Sequence, residues 1–251
     1  MRIQVGVGIW LVLVVPGIVR AQSQLVSNKQ PIGEPSQEKQ VLSLSERKIL
    51  PLFGELRKSS DQIKEEISFL NDCDANFGSR KEASQFFAAR GWEYLQESQL
   101  DTASYRFNLA YLLNEKNVDA YWGLGVVCFQ REDFNNAFRM LKKGVEIEPQ
   151  NVPLMVDLSS ISIKLYEESA DSLKLEEVQR LLEQAAALDP SYAQTFFNLS
   201  VAEYYRGNYN EAWENLHKGR VLNFSLVNLQ FVEQLSEKAP DPKGFFKNTA
   251  N

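Results

Sequence analysis

The sequence of 251 residues contains 27 Lys and Arg against 33 Asp and Glu, which gives a formal net charge of −6 at pH 7. An acidic chain without a cluster of Lys and Arg lacks the basic surface that phosphate backbones require, so we expect no nucleic-acid partner. It has one histidine and two cysteines, too few to build a zinc site or a nucleophile with its base. We therefore expect a protein that is not an enzyme and that binds no metal or cofactor.

Residues 1–21 have the layout of a cleaved secretory signal peptide. A short basic start precedes an apolar run from Val5 to Val19, and the small residue Ala21 ends the segment. The run is shorter than the ~20 apolar residues of a spanning helix and it contains Pro16. We therefore expect an exported protein, periplasmic or secreted, without an integral membrane span in its mature form.

Residues 22–58 are predicted to be a flexible polar tether that carries one apolar island, Ile49 to Phe53. Pro51 prevents a continuous helix there, and our hypothesis is that the island, or the helix after it, packs against the first repeat and fills part of its groove. Residues 59–83 are predicted to form a helix and a connecting loop. Ser59 and Gln62 have capping-box spacing, which places the helix from about Ser60 to Asn71.

The loop after that helix also resembles the start of a calcium loop, because oxygen-bearing side chains alternate from Asp72 to Asn76. Gly78 falls one place late for such a loop, and Ala83 stands where the bidentate carboxylate belongs. The spacing favours a connecting loop over a calcium site.

A period of 34 residues is the most informative feature of the chain. Gly91 is matched by Gly125, and Ala103 is matched by Ala137, in each case 34 residues later. A fixed period of this size is typical of stacked helical pairs, because one helical hairpin cannot bury its apolar face alone. The sequence therefore predicts an all-α solenoid of antiparallel helix pairs.

The second unit carries the clearest family pattern, with Tyr121, Leu124, Gly125, Ala137 and Pro149 in the family's places. It resembles the tetratricopeptide repeat (TPR) family. The resemblance implies four repeats, at 84–117, 118–151, 152–192 and 193–224, followed by a capping helix and tail at 225–251. More narrowly, residues 90–92, 100–103 and 106–108 resemble exported bacterial TPR proteins of unassigned function.

Two details of these units follow from the residues themselves. Pro149 and Pro190 lie 41 residues apart, seven more than the period, so the third unit contains an insertion. A long loop between Tyr166 and Leu175 is the simplest interpretation, and longer helices are the alternative. Ser225 is predicted to cap the last helix.

In this family the first helix of each pair looks into a concave groove, and its aromatic and apolar residues are the candidate partner contacts. The resemblance places these side chains in the groove: Trp92, Trp122, Val126, Phe129, Phe197, Val201, Tyr204 and Tyr205. The implied function is a non-catalytic scaffold that binds a peptide or a helical segment of a protein partner. A carrier of a small apolar ligand, and a groove filled from within, are the alternatives. The sequence carries no signal for the oligomeric state.

The residues with reactive side chains have simpler interpretations. His217 is predicted to face solvent on a second helix. Cys73 and Cys128 are expected to be unpaired, with Cys128 in the repeat core, where a thiol behaves as a small apolar group. Only Asn198 matches the Lys and Asn set with which some family members bind a terminal carboxylate, so we do not expect carboxylate binding.

Overall fold

A computed structural model describes residues 43–170 and 172–246. The predicted signal peptide and residues 22–42 of the predicted tether lie outside the described residues. Within the described ranges every regular element is a helix, and helices that follow each other in the chain pack in antiparallel pairs. The predicted all-α solenoid is therefore confirmed.

The helices begin and end as follows. Before the repeats lie α1 (Leu44–Ile49), a 3₁₀ helix (Pro51–Glu55) and α2 (Ser60–Asn76). The four pairs are α3 (Arg80–Gln96) with α4 (Leu100–Leu113), α5 (Val118–Gln130) with α6 (Phe134–Ile147), α7 (Val152–Ser169) with α8 (Ser172–Leu188), and α9 (Ala193–Arg206) with α10 (Tyr209–Leu222). A short 3₁₀ helix (Phe224–Leu226) then leads to α11 (Leu229–Lys238).

Small residues allow neighbouring helices to approach closely, within a pair at Gly125 and between two pairs at Gly123. A Cβ atom added to Gly125 would lie 2.7 Å from Cδ2 of Leu141, and one added to Gly123 would lie 2.1 Å from Cζ of Phe107. Real carbon atoms do not approach so closely, so both positions require glycine. The predicted role of Gly125 is confirmed, and Gly123 is a second such position that the repeat pattern alone did not reveal.

The third pair is lengthened rather than looped. Helices α7 and α8 contain 18 and 17 residues, against 13 and 14 in α5 and α6. The loop predicted between Tyr166 and Leu175 is therefore wrong, and the alternative is right. The reason is burial: Leu165 and Leu175 lie in the core, so the inserted turns extend apolar faces that are already buried.

Two helix boundaries differ from their predicted positions. Helix α2 continues to Asn76, so Asp72 and Asp74 lie on its last turns instead of in a connecting loop, and Asp74 pairs with Arg80 at 2.7 Å. At the other end, Asn228 caps α11 through the backbone N–H of Phe231, and Ser225 does not. Ser225 lies in the short 3₁₀ helix before α11, where its N–H and its hydroxyl both donate to Asn223 Oδ1.

The apolar island packs against the first repeat, as expected, but it meets α4, the second helix of the pair. The hypothesis that it fills the groove on the first helices is wrong. Leu52 provides the apolar contact, because its side chain is only 8% exposed and lies in the same cluster as Phe107. The island therefore lies on the outer side of the array.

Candidate functional site: the inner face of the first helices

The first helices of successive pairs are joined by tryptophan side chains. Trp92 on α3 donates its indole N–H to Asp119 Oδ1 on α5 at 3.3 Å, and Trp122 on α5 donates to Asp157 Oδ2 on α7 at 2.7 Å. Each bond crosses from one pair to the next. We call this row of α3, α5, α7 and α9 the inner face, and the row of α4, α6, α8 and α10 the outer face.

The two indole rings form one aromatic patch. Trp92 and Trp122 lie 5.8 Å apart, edge to face, and Trp92 also meets Phe107 in the core at 5.1 Å. Both tryptophans remain partly exposed. The hydrogen bonds and ring contacts fix their orientation before any ligand arrives, which lowers the entropy lost on binding.

Asp157 lies beneath this patch and is almost fully buried. Burial raises the pKa of its carboxyl to about 7, and the hydrogen bond from Trp122 opposes the shift only in part. The nearby Tyr192 phenol has its pKa raised to about 12, first by its own burial and then by the charge of Asp157. The orientation of Trp122 therefore depends on a carboxyl group that titrates near neutral pH.

A second aromatic patch lies where the lengthened α7 meets α9. The rings of Tyr166 and Tyr205 lie 5.2 Å apart, and the Tyr205 hydroxyl donates to Glu167 Oε1 at 2.6 Å. Burial, and then the hydrogen bond to Glu167, raise the pKa of the Tyr205 phenol, so it remains a donor at physiological pH. Tyr166 and Glu167 belong to the inserted turns, so the insertion contributes to this part of the inner face.

The structure separates the eight predicted groove residues into two sets. The partly exposed ones are Trp92, Trp122, Phe129, Tyr204 and Tyr205. The buried ones are Val126, Phe197 and Val201.

The buried residues belong to the packing between helices. Phe197, for example, lies against Gly219, where an added Cβ would stand 3.0 Å from its ring. Tyr204 turns toward the C-terminal end, where its ring meets Phe231 at 5.6 Å. Partner contact by the eight residues stays a prediction, and its most accessible members are Trp92, Trp122, Phe129 and Tyr205.

Asn198 has a structural role. Its side-chain nitrogen donates to Ser159 Oγ at 2.9 Å and to Ser160 Oγ at 2.8 Å, and the residue is 1% exposed. These bonds connect α9 to α7. The side chain is occupied by these contacts and is not available to bind a terminal carboxylate.

The inner face is acidic along its last three helices. Helices α5, α7 and α9 together carry these charged residues: Asp119, Asp157, Lys164, Glu167, Glu168, Glu203 and Arg206. Acidic groups outnumber basic ones, and Lys164 and Arg206 pair with Glu167 and Glu203 on their own helices. The sequence indicates the charges themselves, but only the structure shows that Asp119 accepts from Trp92 and Glu167 accepts from Tyr205, so that a carboxylate adjoins each aromatic patch.

His217 is buried, so the prediction that it faces solvent is wrong. It is 1% exposed, its Nε2 lies 2.7 Å from Asp241 Oδ1, and Arg220 Nε donates to its Nδ1 at 2.8 Å. Burial alone would raise the pKa of Asp241, but the N–H of Phe246 and the imidazole outweigh it and lower that pKa. The bond from Arg220 makes Nδ1 an acceptor, so the ring's proton is on Nε2 and points at Asp241. This network holds the C-terminal tail against α10.

The cysteines show no feature of a reactive site. Cys73 and Cys128 are both buried and free. Burial raises the pKa of the Cys128 thiol to about 12, which keeps it protonated and unreactive at neutral pH.

Two further observations concern the described residues only. In ranges 43–170 and 172–246, no three His, Cys, Asp or Glu side chains come together in a way that could hold a metal ion. In the same ranges, each helix is too short or too polar to cross a bilayer.

No protein-family model matches the chain, and no curated protein is detectably similar to it in sequence. Solved structures do share its fold. A thermophilic TPR protein of Thermus thermophilus has a TM-score of 0.50 and 19% identity over 64% of this chain and 93% of its own. PilF of Pseudomonas aeruginosa has a TM-score of 0.53 and 22% identity over 63% of this chain and 70% of its own.

A third structure, a double mutant of MamA RS-1, has a TM-score of 0.52 and 13% identity over 62% of this chain and 82% of its own. At these identities the likeness establishes the fold alone. The chain therefore has the TPR fold that the repeat pattern predicts.

Proposed function

We propose that this protein is a non-catalytic scaffold that binds a peptide or a helical segment of a protein partner against its inner face, outside the cytoplasm. One observation carries the proposal. Trp92 and Trp122 lie side by side, partly exposed, and each indole N–H is held by a carboxylate of the next helix. Helical repeat arrays commonly present such extended concave surfaces to partners.

The physical argument is that these rings offer a large apolar area at low entropic cost. Tryptophan and tyrosine are enriched among the residues that dominate binding energy at interfaces. Here their side-chain torsions are already fixed by hydrogen bonds, so an apolar side chain of the partner gains contact without ordering them. A stack of four pairs also matches the length of a short helix or an extended segment.

The acidic character of the inner face specifies the partner further. Asp119 accepts from Trp92 in the first aromatic patch, and Glu167 accepts from Tyr205 in the second. We therefore expect the bound segment to combine apolar side chains with Lys or Arg, which contact these carboxylates and the faces of the rings.

Location outside the cytoplasm is proposed from the layout of residues 1–21. The basic start, the apolar run and Ala21 are the features that the secretory machinery recognises. Periplasmic and secreted forms are both compatible with that layout.

The experiment is a crosslinking pull-down of the exported chain from its native envelope, compared with the double variant Trp122→Ala, Tyr205→Ala. The control is Val221→Ala, because this side chain is 75% exposed and lies on the outer helix α10. We expect one particular partner to be lost from the first variant and kept by the control. Equal recovery from both variants would contradict inner-face binding. A small molecule retained in native mass spectrometry, with no protein partner, would instead indicate the ligand carrier.

A further inference from the structure

The outer face holds a peptide-like segment of the chain itself by its backbone. Asn108 Nδ2 donates to the carbonyls of Lys48 at 2.9 Å and Leu50 at 2.7 Å, and Ser104 Oγ donates to the carbonyl of Ile49 at 2.7 Å. Three successive carbonyls are thus bound by two side chains of α4. We call residues Ser43 to Glu55 the outer segment.

Two arginines of the second pair, Arg131 and Arg139, also bind the outer segment. Arg131 donates from Nη1 to the carbonyl of Ile49 at 3.0 Å, and its Nη2 is held by Asp101 at 2.5 Å. Arg139 pairs with the carboxylate of Glu55 at the end of the segment. The segment is therefore bound in its middle, through the carbonyls of Lys48 to Leu50, and at its C-terminal end, through a charge pair at Glu55.

The side chains of α4 that donate hydrogen bonds to the segment's carbonyls are buried beneath it. Ser104 and Asn108 are 0% exposed. A buried hydroxyl or amide without a partner costs about 1–3 kcal/mol, so this part of α4 requires an occupant. Among the described residues Asn108 Oδ1 still has no hydrogen-bond partner, so the outer segment does not use all of the site's hydrogen-bonding capacity.

The site imposes the conformation of the segment. Leu52, Phe53 and Glu55 have φ values of 51°, 57° and 53°, in the left-handed region that residues with a Cβ seldom adopt. Each such residue costs about 1 kcal/mol in a free chain. The segment does not prefer this shape by itself and takes it through the contacts of Leu52 and of its carbonyls, as a bound peptide does.

The link from the segment to α2 is accessible. Residues 56–59 are all exposed, and Leu56 is 42% exposed. The covalent connection through this link therefore contributes little buried area. The segment is held by its own contacts with α4, and in addition Arg47 donates to Gln62 Oε1 of α2 at 3.1 Å and Lys48 pairs with Glu65 of α2 at 3.6 Å.

We propose that the surface built from Ser104, Asn108, Arg131 and Arg139 is a second peptide-binding site, separate from the inner face. Its ligand class is a linear peptide with the step Ile-Leu-Pro-Leu followed by an acidic residue three positions later. In this chain the site is occupied by the chain's own outer segment.

The test uses the whole chain with a protease site inserted in the exposed link at 56–59. After cleavage, an isotopically heavy synthetic peptide of residues 43–55 is added in excess, and native mass spectrometry follows its exchange. We expect the nicked chain to stay folded by circular dichroism and to bind one heavy peptide in place of its own segment. A nicked chain that unfolds, or that never takes up the heavy peptide at millimolar concentration, would overturn the proposal.

Variant peptides test specificity without changing the protein's own stability. A peptide with Leu52→Asp should not exchange, and a peptide with Glu55→Ala should bind several-fold more weakly because Arg139 loses its partner. The matched control is Ser45→Ala, since Ser45 is exposed and its hydroxyl meets that of Ser43, within the segment itself. Equal uptake of the Leu52→Asp and Ser45→Ala peptides would show nonspecific association and would also overturn the proposal.

Discussion

The inner and outer faces of the same array present different chemistry. The outer face uses the buried donors of Ser104 and Asn108 to bind backbone carbonyls, and its occupant is already in place. The inner face presents partly exposed rings, Trp122 among them, whose polar edges are turned toward neighbouring helices. Hydrogen bonds to backbone carbonyls require one defined conformation of the bound segment, whereas contact with aromatic rings requires only apolar area. The fold therefore holds its own segment on one side and leaves partly exposed rings on the other, where we propose that a partner binds.

The largest effect is expected where the two faces meet. Phe107 of the outer helix α4 rests on Gly123 of the inner helix α5, and an added Cβ would lie 2.1 Å from the ring. We expect Gly123→Ala to lower the free energy of unfolding by about 3 kcal/mol and to disrupt both faces together. Urea unfolding measures the change. Gly144→Ala is the control, because its Cβ would meet Leu154 at 3.0 Å, a much milder contact. Equal losses in the two variants would show that this junction is not closely packed.

A smaller effect should be confined to the outer face. Leu52→Ala removes the buried side chain of the outer segment, and we expect a loss of about 2–3 kcal/mol in the free energy of unfolding. Limited trypsin digestion should then cut more readily at Arg47 and Lys48. Leu56→Ala, at an exposed position, should leave both the free energy of unfolding and the trypsin cleavage unchanged. Increased cleavage within the repeats as well would mean that the segment and the array do not behave as separate parts.

The inner face should respond to pH through Asp157. Its pKa is raised to about 7 in the folded protein, against 3.8 for an ordinary aspartate, so the folded state holds a proton that the unfolded state releases. Stability contributed by this group is therefore full below about pH 4 and declines as pH rises toward 7. Asp157→Asn should remove that decline and add about 2–4 kcal/mol at pH 8, with little change at pH 4.

Chemical unfolding of both proteins at pH 4 and pH 8 checks this prediction. The difference between variant and parent should grow with pH. A constant difference would mean that the carboxyl of Asp157 titrates as an ordinary exposed aspartate. In that case the orientation of Trp122 would not be linked to pH.

The smallest effect is expected on the part of the outer face that the segment does not cover. Lys143 and Glu146 form an exposed pair at 3.0 Å on α6, and such pairs contribute less than about 0.5 kcal/mol. Lys143→Ala should therefore leave thermal unfolding almost unchanged and should not release the outer segment. A loss above about 1 kcal/mol would show that charges of the outer face matter beyond the segment's own contacts.

The sequence predicts the paired helices well because their signal is local and repeated. Gly125 and Ala137 recur at the period of the repeat, and close packing follows from their size. The lengthened third pair was ambiguous, since the polar residues of 166–175 suit a loop as well as an exposed helical face. Only the burial of Leu165 and Leu175 decides between the two.

Contacts between distant parts of the chain carry no such pattern. His217 follows the spacing of an outward residue, but Asp241, which lies 24 positions later and beyond the last helix, covers it. Likewise Asn108 and Ser104 bind backbone carbonyls 55 to 60 positions earlier. Because every residue has a backbone carbonyl, the sequence does not indicate which ones are bound. The aromatic inner face was predicted as a set of residues. Asp157, which orients Trp122, is not predicted, because its position in the repeat is typical of a core residue.

The most direct test of inner-face binding is site-specific photocrosslinking in the native envelope. A photoreactive phenylalanine analogue replaces Phe129 on the inner face in one version of the chain, and Val221, which is 75% exposed on the outer helix α10, in another. We expect position 129 to give one dominant crosslinked protein, which disappears when Trp122→Ala is added, and position 221 to give none. The same products from both positions, or a product from position 129 that survives Trp122→Ala, would contradict partner binding by the inner face.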